Sequence, residues 1–158
     1  MINLAAGGGT IVHELTHALI DFDCPHLPIW INEGIASLHE ECRLEETPNG
    51  FRIQPLVNWR LTVLQQAIAG QTIRPTRELM MLDQMVGNHE ALNYAHARYF
   101  CMYLSEMGLL DDLYRLVRDN PDTDGSDSRA LRSLISDLSG YGLDEDFQRW
   151  VMRLRLDS

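Results

Sequence analysis

Apolar positions recur along this chain at intervals of three and four residues more often than they alternate, and that period predicts helices. After the glycines at 7–9, Ile11, Val12, Leu15, Ala18 and Leu19 form the apolar side of a helix running to about residue 20. Residues 21–28 hold two prolines and read as a turn-rich connection. A second helix is expected from 31 to about 42. Asn49-Gly50 is a hairpin signal between two short mixed segments, so any sheet here is small and local. Further helices are expected over 60–69, ended by Gly70, and from Pro75 to 81. A long one covers 90–107, ended by Gly108, and continues as 109–117. An acidic turn at 119–127 leads to helices at 128–138 and 143–156, parted by Gly140 and Gly142. Met80, Met81 and Met85 are expected to fill core space. The expected fold is mainly α with at most a small β-hairpin, in one domain over 1–158 with no internal repeat.

The chain has 158 residues, the size of one ordinary domain. Its 13 Lys and Arg against 23 Asp and Glu leave a net charge of −10. That acidity argues against a sequence-independent nucleic-acid binder and against docking on anionic lipid. No apolar run approaches the ~18 residues needed to span a bilayer. Residues 1–12 lack the cationic start and long apolar stretch of a secretory signal, and the compartment stays open. Cys24, Cys42 and Cys101 show no CxxC spacing, so at most one pair can form.

The residues that carry chemistry lie in the first helix. His13-Glu14-Leu15-Thr16-His17 is HExxH. Positions i and i+4 lie one turn apart on one face, with Cβ atoms roughly 5–6 Å apart. Two imidazoles there can share one zinc ion at ~2.0–2.1 Å. Glu14 is displaced around the helix, so it is free to take a proton from water activated by the metal. The competing reading is two histidines satisfied by hydrogen bonds in a core.

A catalytic zinc needs a third protein ligand. The metzincin continuation would put Gly at 20 and a ligand at 23, where this chain has Ile20 and Asp23; Asp23 is able to ligate, but Ile20 does not easily make the sharp turn that Gly allows. His26 and His39 have no spacing rule behind them. Glu33, in Trp30-Ile31-Asn32-Glu33-Gly34-Ile35-Ala36, is the best candidate. Its 16 positions from His17 leave room for helix, turn and return, and Gly34 and Ala36 are expected to let the second helix approach the first. Glu40 lies two turns beyond Glu33 on the same face and can accept the free ring N–H of a ligating histidine.

HELTH followed by WINEGIASLHE resembles the gluzincin metallopeptidases, the thermolysin-like group with two His and one Glu on zinc. It is most similar to the aminopeptidase-like, peptidase MA-like branch, whose third ligand sits in a W-[LI]-N-E-G-x-A segment. That branch carries a tyrosine opening a later long helix, which hydrogen-bonds the developing oxyanion. Asn93-Tyr94-Ala95-His96-Ala97 opens such a stretch, with Tyr94 standing 61 positions after Glu33 and Tyr99 as its rival. The resemblance implies His13, His17 and Glu33 as ligands, Glu14 as general base and Tyr94 as oxyanion donor. It implies Zn2+ as cofactor, a peptide or protein as substrate, and a zincin-like helical catalytic subdomain. The aminopeptidases' Gly-x-Met-Glu-Asn segment and the Lys-Gly after the tyrosine are absent, His96-Ala97 standing in the latter place, so exopeptidase action has no support. Gluzincins also carry a β-sheet before the HExxH helix. The expectation is therefore a catalytic domain truncated upstream, with the rest of a larger polypeptide and its sheet missing here. The alternative function is a zinc-binding but non-hydrolytic domain with a scaffold or regulatory role.

A second pattern, Asn120-x-Asp122-x-Asp124-Gly125, matches the first half of an EF-hand loop. The loop's last position requires a bidentate Glu, and Leu131 stands there, so an acidic turn is the better reading.

Overall fold

Positions 95–104 are mostly apolar or aromatic, with His96 and Arg98 among them, and that stretch becomes the axis of the molecule. A computed structural model describes residues 8–48, 50–120 and 142–156. The helices are α1 (Gly8–Asp23), α2 (Ile29–Glu40), α3 (Arg60–Ala69), α4 (Thr76–Met80), α5 (Glu90–Glu106), α6 (Leu110–Asp119) and α7 (Leu143–Arg153). The strands β1 (Cys42–Thr47) and β2 (Gly50–Pro55) form one antiparallel hairpin. The protein is thus mainly helical with a small two-stranded sheet among the described residues.

α5 is buried on nearly every side, from Ala95 to Leu104 without a break. α2 and α3 pack along it, α7 closes over α3 and α5, and α1 lies on the outer side of α2. The core is held by rings: Trp30 meets Phe100 at 5.4 Å between centroids, and Phe100 meets Phe147 edge-on at 5.4 Å. Leu61, Leu64, Leu79, Leu104 and Leu113 fill the space around them. α7 is also pinned through Asp144, whose carboxylate accepts from the backbone N–H and the hydroxyl of Thr76 at the start of α4.

Several boundaries differ from the sequence reading, each for a local reason. α1 runs on to Asp23, because nothing before Pro25 interrupts its hydrogen bonds and Cys24 N–H still reaches Ile20 O at 2.6 Å. α2 spans two residues earlier at both ends than expected, because Pro28 caps it and its carbonyl accepts from Ile31 and Asn32. In the hairpin, Thr47 pairs with Gly50, so the strand begins at the glycine, whose φ of +125° suits only a residue without Cβ. α7 stops at Arg153, short of residue 156. Of the three methionines, Met80 and Met85 are buried but Met81 is exposed. The acidic stretch from 121, the expected 128–138 helix and most of the EF-like pattern lie outside the described residues.

Two corrections bear on the site. The apolar side expected for α1 is not its buried side: Ile11, Leu15, Ala18 and Leu19 are exposed, as is Phe22. α2 meets the other flank, where Thr16 and Ile20 are buried and both histidines are half-buried. The orientation follows from the partner, since among the described elements only α2 packs broadly on α1. Gly34, likewise, does not serve the α1 contact. A Cβ there would stand 2.3 Å from Cys101 Sγ and 2.9 Å from the Ala97 carbonyl, so the bare backbone lets α2 close on α5.

Candidate metal centre

The flank that α1 turns toward α2 carries His13 and His17, one turn apart, and α2 brings Glu33 to meet them. His13 Nε2 and His17 Nε2 are 3.0 Å apart. Glu33 Oε2 lies 3.4 Å from the first and 3.6 Å from the second. A tetrahedral ion with ligand bonds of ~2.0–2.1 Å requires edges of about 3.4 Å, and these three distances bracket that value. The three side chains are 16%, 22% and 16% exposed, which screens the site from bulk water while leaving an approach. Glu33 Oε2 is buried and makes no hydrogen bond among the described residues. Lone pairs converging at such distances repel unless a cation or proton lies among them. The His13, His17 and Glu33 group can therefore hold a metal ion, and its donors fit one.

The electrostatics agree. The Glu33 carboxylate raises the pKa of His13 above its ordinary value, against the opposing pull of burial, and Glu40 and Glu14 add to the rise. The surroundings favour positive charge at this point.

Each imidazole meets a group on α2 at its other nitrogen. Asn32 Oδ1 lies 2.7 Å from His17 Nδ1. An amide oxygen only accepts, so Nδ1 carries the hydrogen and Nε2 turns its lone pair to the cluster. Glu40 Oε2 lies 3.8 Å from His13 Nδ1. Glu33 and Glu40, seven positions apart, thus face the two nitrogens of one ring. Asn32 was not singled out in the sequence. Its signal was its place beside Glu33 in the same motif, which by itself does not say which neighbour reaches a histidine.

Beside the cluster opens a cavity of about 600 Å³ lined by His13, Glu14, Glu40, Trp59, Arg60 and Tyr94, together with Glu90 and Ala91. Glu14 is exposed here and unengaged by the ligand triangle. Burial, then Glu33 and Glu90, raise the pKa of Tyr94, so its hydroxyl stays protonated at neutral pH. Compared with family models, with curated proteins and with solved structures, the chain finds no match.

The other candidates stand elsewhere. Tyr99 is fully buried, and its hydroxyl accepts from Asn58 N–H at 3.0 Å and donates to Asn58 O at 3.1 Å. Asp23 accepts from the Tyr114 hydroxyl at 2.8 Å at the far end of α1. His26 Nε2 sits 3.0 Å from the Val117 carbonyl. His39 Nδ1 meets Thr16 Oγ1 at 3.1 Å, on the other flank of α1 from Glu14. All three cysteines are free. No helix among the described residues is long and apolar enough to cross a membrane.

Proposed function

We propose that this chain is a zinc-dependent peptidase of the gluzincin kind, which hydrolyses a peptide bond with water. The observation that carries the reading is the convergence of His13, His17 and Glu33 at ligand spacing beside a cavity. Two imidazoles with one carboxylate suit zinc better than calcium or magnesium, which take oxygen ligands. Zinc in that set supplies Lewis acidity, which lowers the pKa of a water and polarises a carbonyl.

The remaining work belongs to the protein's own side chains. Glu14, exposed to the cavity and held by no ligand role, accepts the proton of the attacking water and passes it to the leaving amine. Tyr94 donates a hydrogen bond to the oxygen on which charge develops, an interaction worth roughly 3–4 kcal/mol of barrier. Asn32 fixes the His17 tautomer. A cavity of this size, within the roughly 300–1,000 Å³ of small-ligand sites, takes a short extended peptide segment.

The test pairs elemental analysis with cleavage of an unstructured protein such as casein. The wild-type chain is expected to hold one zinc and to cleave. Glu14→Gln is expected to keep zinc and lose cleavage by roughly 10²–10⁴-fold. Glu33→Ala is expected to lose the metal. Zinc without cleavage in the wild type would leave the non-hydrolytic metal-binding reading, and full zinc in Glu33→Ala would overturn the ligand set.

A further inference from the structure

Three buried polar atoms stand in a row without a hydrogen bond of proper geometry among the described residues: His13 Nδ1, Glu40 Oε2 and Arg60 Nη1. Glu40 Oε2 is 3.8 Å from the histidine nitrogen and 3.1 Å from the guanidinium nitrogen. We propose that Arg60 is a positioning residue of the metal centre, holding the Glu40 carboxylate against the outer nitrogen of His13. The inference rests on the metal-site reading above.

The charge pattern requires such a residue. Glu14, Glu33 and Glu40 crowd around His13 and all act on it. Two carboxylates flanking one imidazole repel each other, and Glu40 is the last residue of its helix. Among the described cavity-lining residues Arg60 is the one lysine or arginine, and it meets Glu40 and no other carboxylate at ion-pair distance. Its side chain is 13% exposed and that of Glu40 22%, so water screens the pair little.

The guanidinium is itself held in place. One face lies over the Trp59 ring, 4.7 Å from its centroid. The Arg60 backbone N–H donates to Asn58 Oδ1 at 3.1 Å, and the Tyr99 hydroxyl accepts from the Asn58 backbone N–H and donates to its carbonyl. The neighbouring Arg98, fully buried, donates to the Leu56 carbonyl at 2.5 Å and the Glu41 carbonyl at 3.3 Å. Two successive residues of α5 thus tie down both arms of the Glu40–Arg60 pair: the end of α2 after Glu40, and the segment leading into α3. This gives Tyr99 and Arg98 a purpose that neither packing nor the peptidase motif supplies. His17 meets Asn32 directly, whereas His13 depends on a carboxylate that needs its own partner.

The experiment is zinc affinity, measured on the whole chain by competition with a chromophoric chelator. Arg60→Gln and Glu40→Gln are each expected to weaken binding about tenfold, the ordinary lower limit for such supporting groups. Arg60→Lys, which keeps the charge and loses the fork, is expected to recover most of the loss. In the double variant Arg60→Gln/Glu40→Gln the affinity should match that of Glu40→Gln alone, because Arg60 acts only through Glu40. A generally damaged fold would not show that non-additivity. Unchanged affinity in Arg60→Gln, or losses that multiply in the double variant, would overturn the inference while leaving the metal site standing. Failure of the wild-type chain to bind zinc would remove the metal reading itself.

Discussion

α1 and α5 treat polarity in opposite ways, and each departs from the usual amphipathic helix. α1 turns its histidines and Thr16 toward α2 and leaves Ile11, Leu15, Leu19 and Phe22 in the open. α5 buries all of 95–104, including His96, Arg98 and Tyr99, so that polar groups sit at the centre of the molecule. The difference is one of task. α1 presents reactive groups at an edge, where their partners come from a single neighbouring helix. α5 is a scaffold whose buried polar atoms hold other segments in place: Arg98 grips the ends of the hairpin and Tyr99 grips Asn58.

The sharpest contrast is in stability. Phe100 is fully buried between Trp30 and Phe147, so Phe100→Ala should cost about 3–5 kcal/mol in urea unfolding. A loss under 1 kcal/mol would show that α5 is not the centre of the fold.

His96 offers a second break. It stacks on Phe147 at 5.4 Å, and neither ring nitrogen has a hydrogen-bond partner among the described residues. Burial, offset in part by Asp144, pushes its pKa down from 6.5 to about 4. The folded state therefore resists a proton that the unfolded chain accepts. Stability should fall as pH drops below 6.5 and level off near 4, by at most about 3 kcal/mol for this group. His96→Phe, unfolded in urea across that window, should lose this component of the acid sensitivity; an identical pH profile would place the sensitivity elsewhere.

Gly34 tests the joint between the two regions. Gly34→Ala drives a Cβ into Cys101 and the Ala97 carbonyl, so about 1–3 kcal/mol of stability should go. Zinc content should fall with it if α2 must shift away from its place beside α1. Stability unchanged in thermal melts would mean that α2 and α5 have slack.

The smallest effect belongs to the outer strip of α1. Leu15 is 56% exposed, and Leu15→Ala should stay within about 0.5 kcal/mol of wild type in the same urea unfolding. A loss above 2 kcal/mol would show that this face is covered in solution.

The candidate site was partly legible because ligand chemistry is local. His13 and His17 share a face by helix geometry alone, and Glu33 with Glu40 share one for the same reason. The choice between Tyr94 and Tyr99 was not legible. Five positions apart on a helix, they point in different directions, and only the packing of the Asn58 segment shows that Tyr99 is engaged there. Asn32 and Arg60 were likewise hidden, one beside a stronger candidate and the other on a helix that the motif does not include.

By itself the sequence determined the helical class, the places where glycine and proline interrupt it, and the residues able to bind a metal, because these follow from backbone period and side-chain chemistry. Tertiary structure alone decided which flank of α1 turns inward, that Gly34 serves α5 and not α1, and that Arg60 stands behind Glu40. Those are questions of which surfaces meet, and the pattern of one helix does not encode the shape of its neighbour.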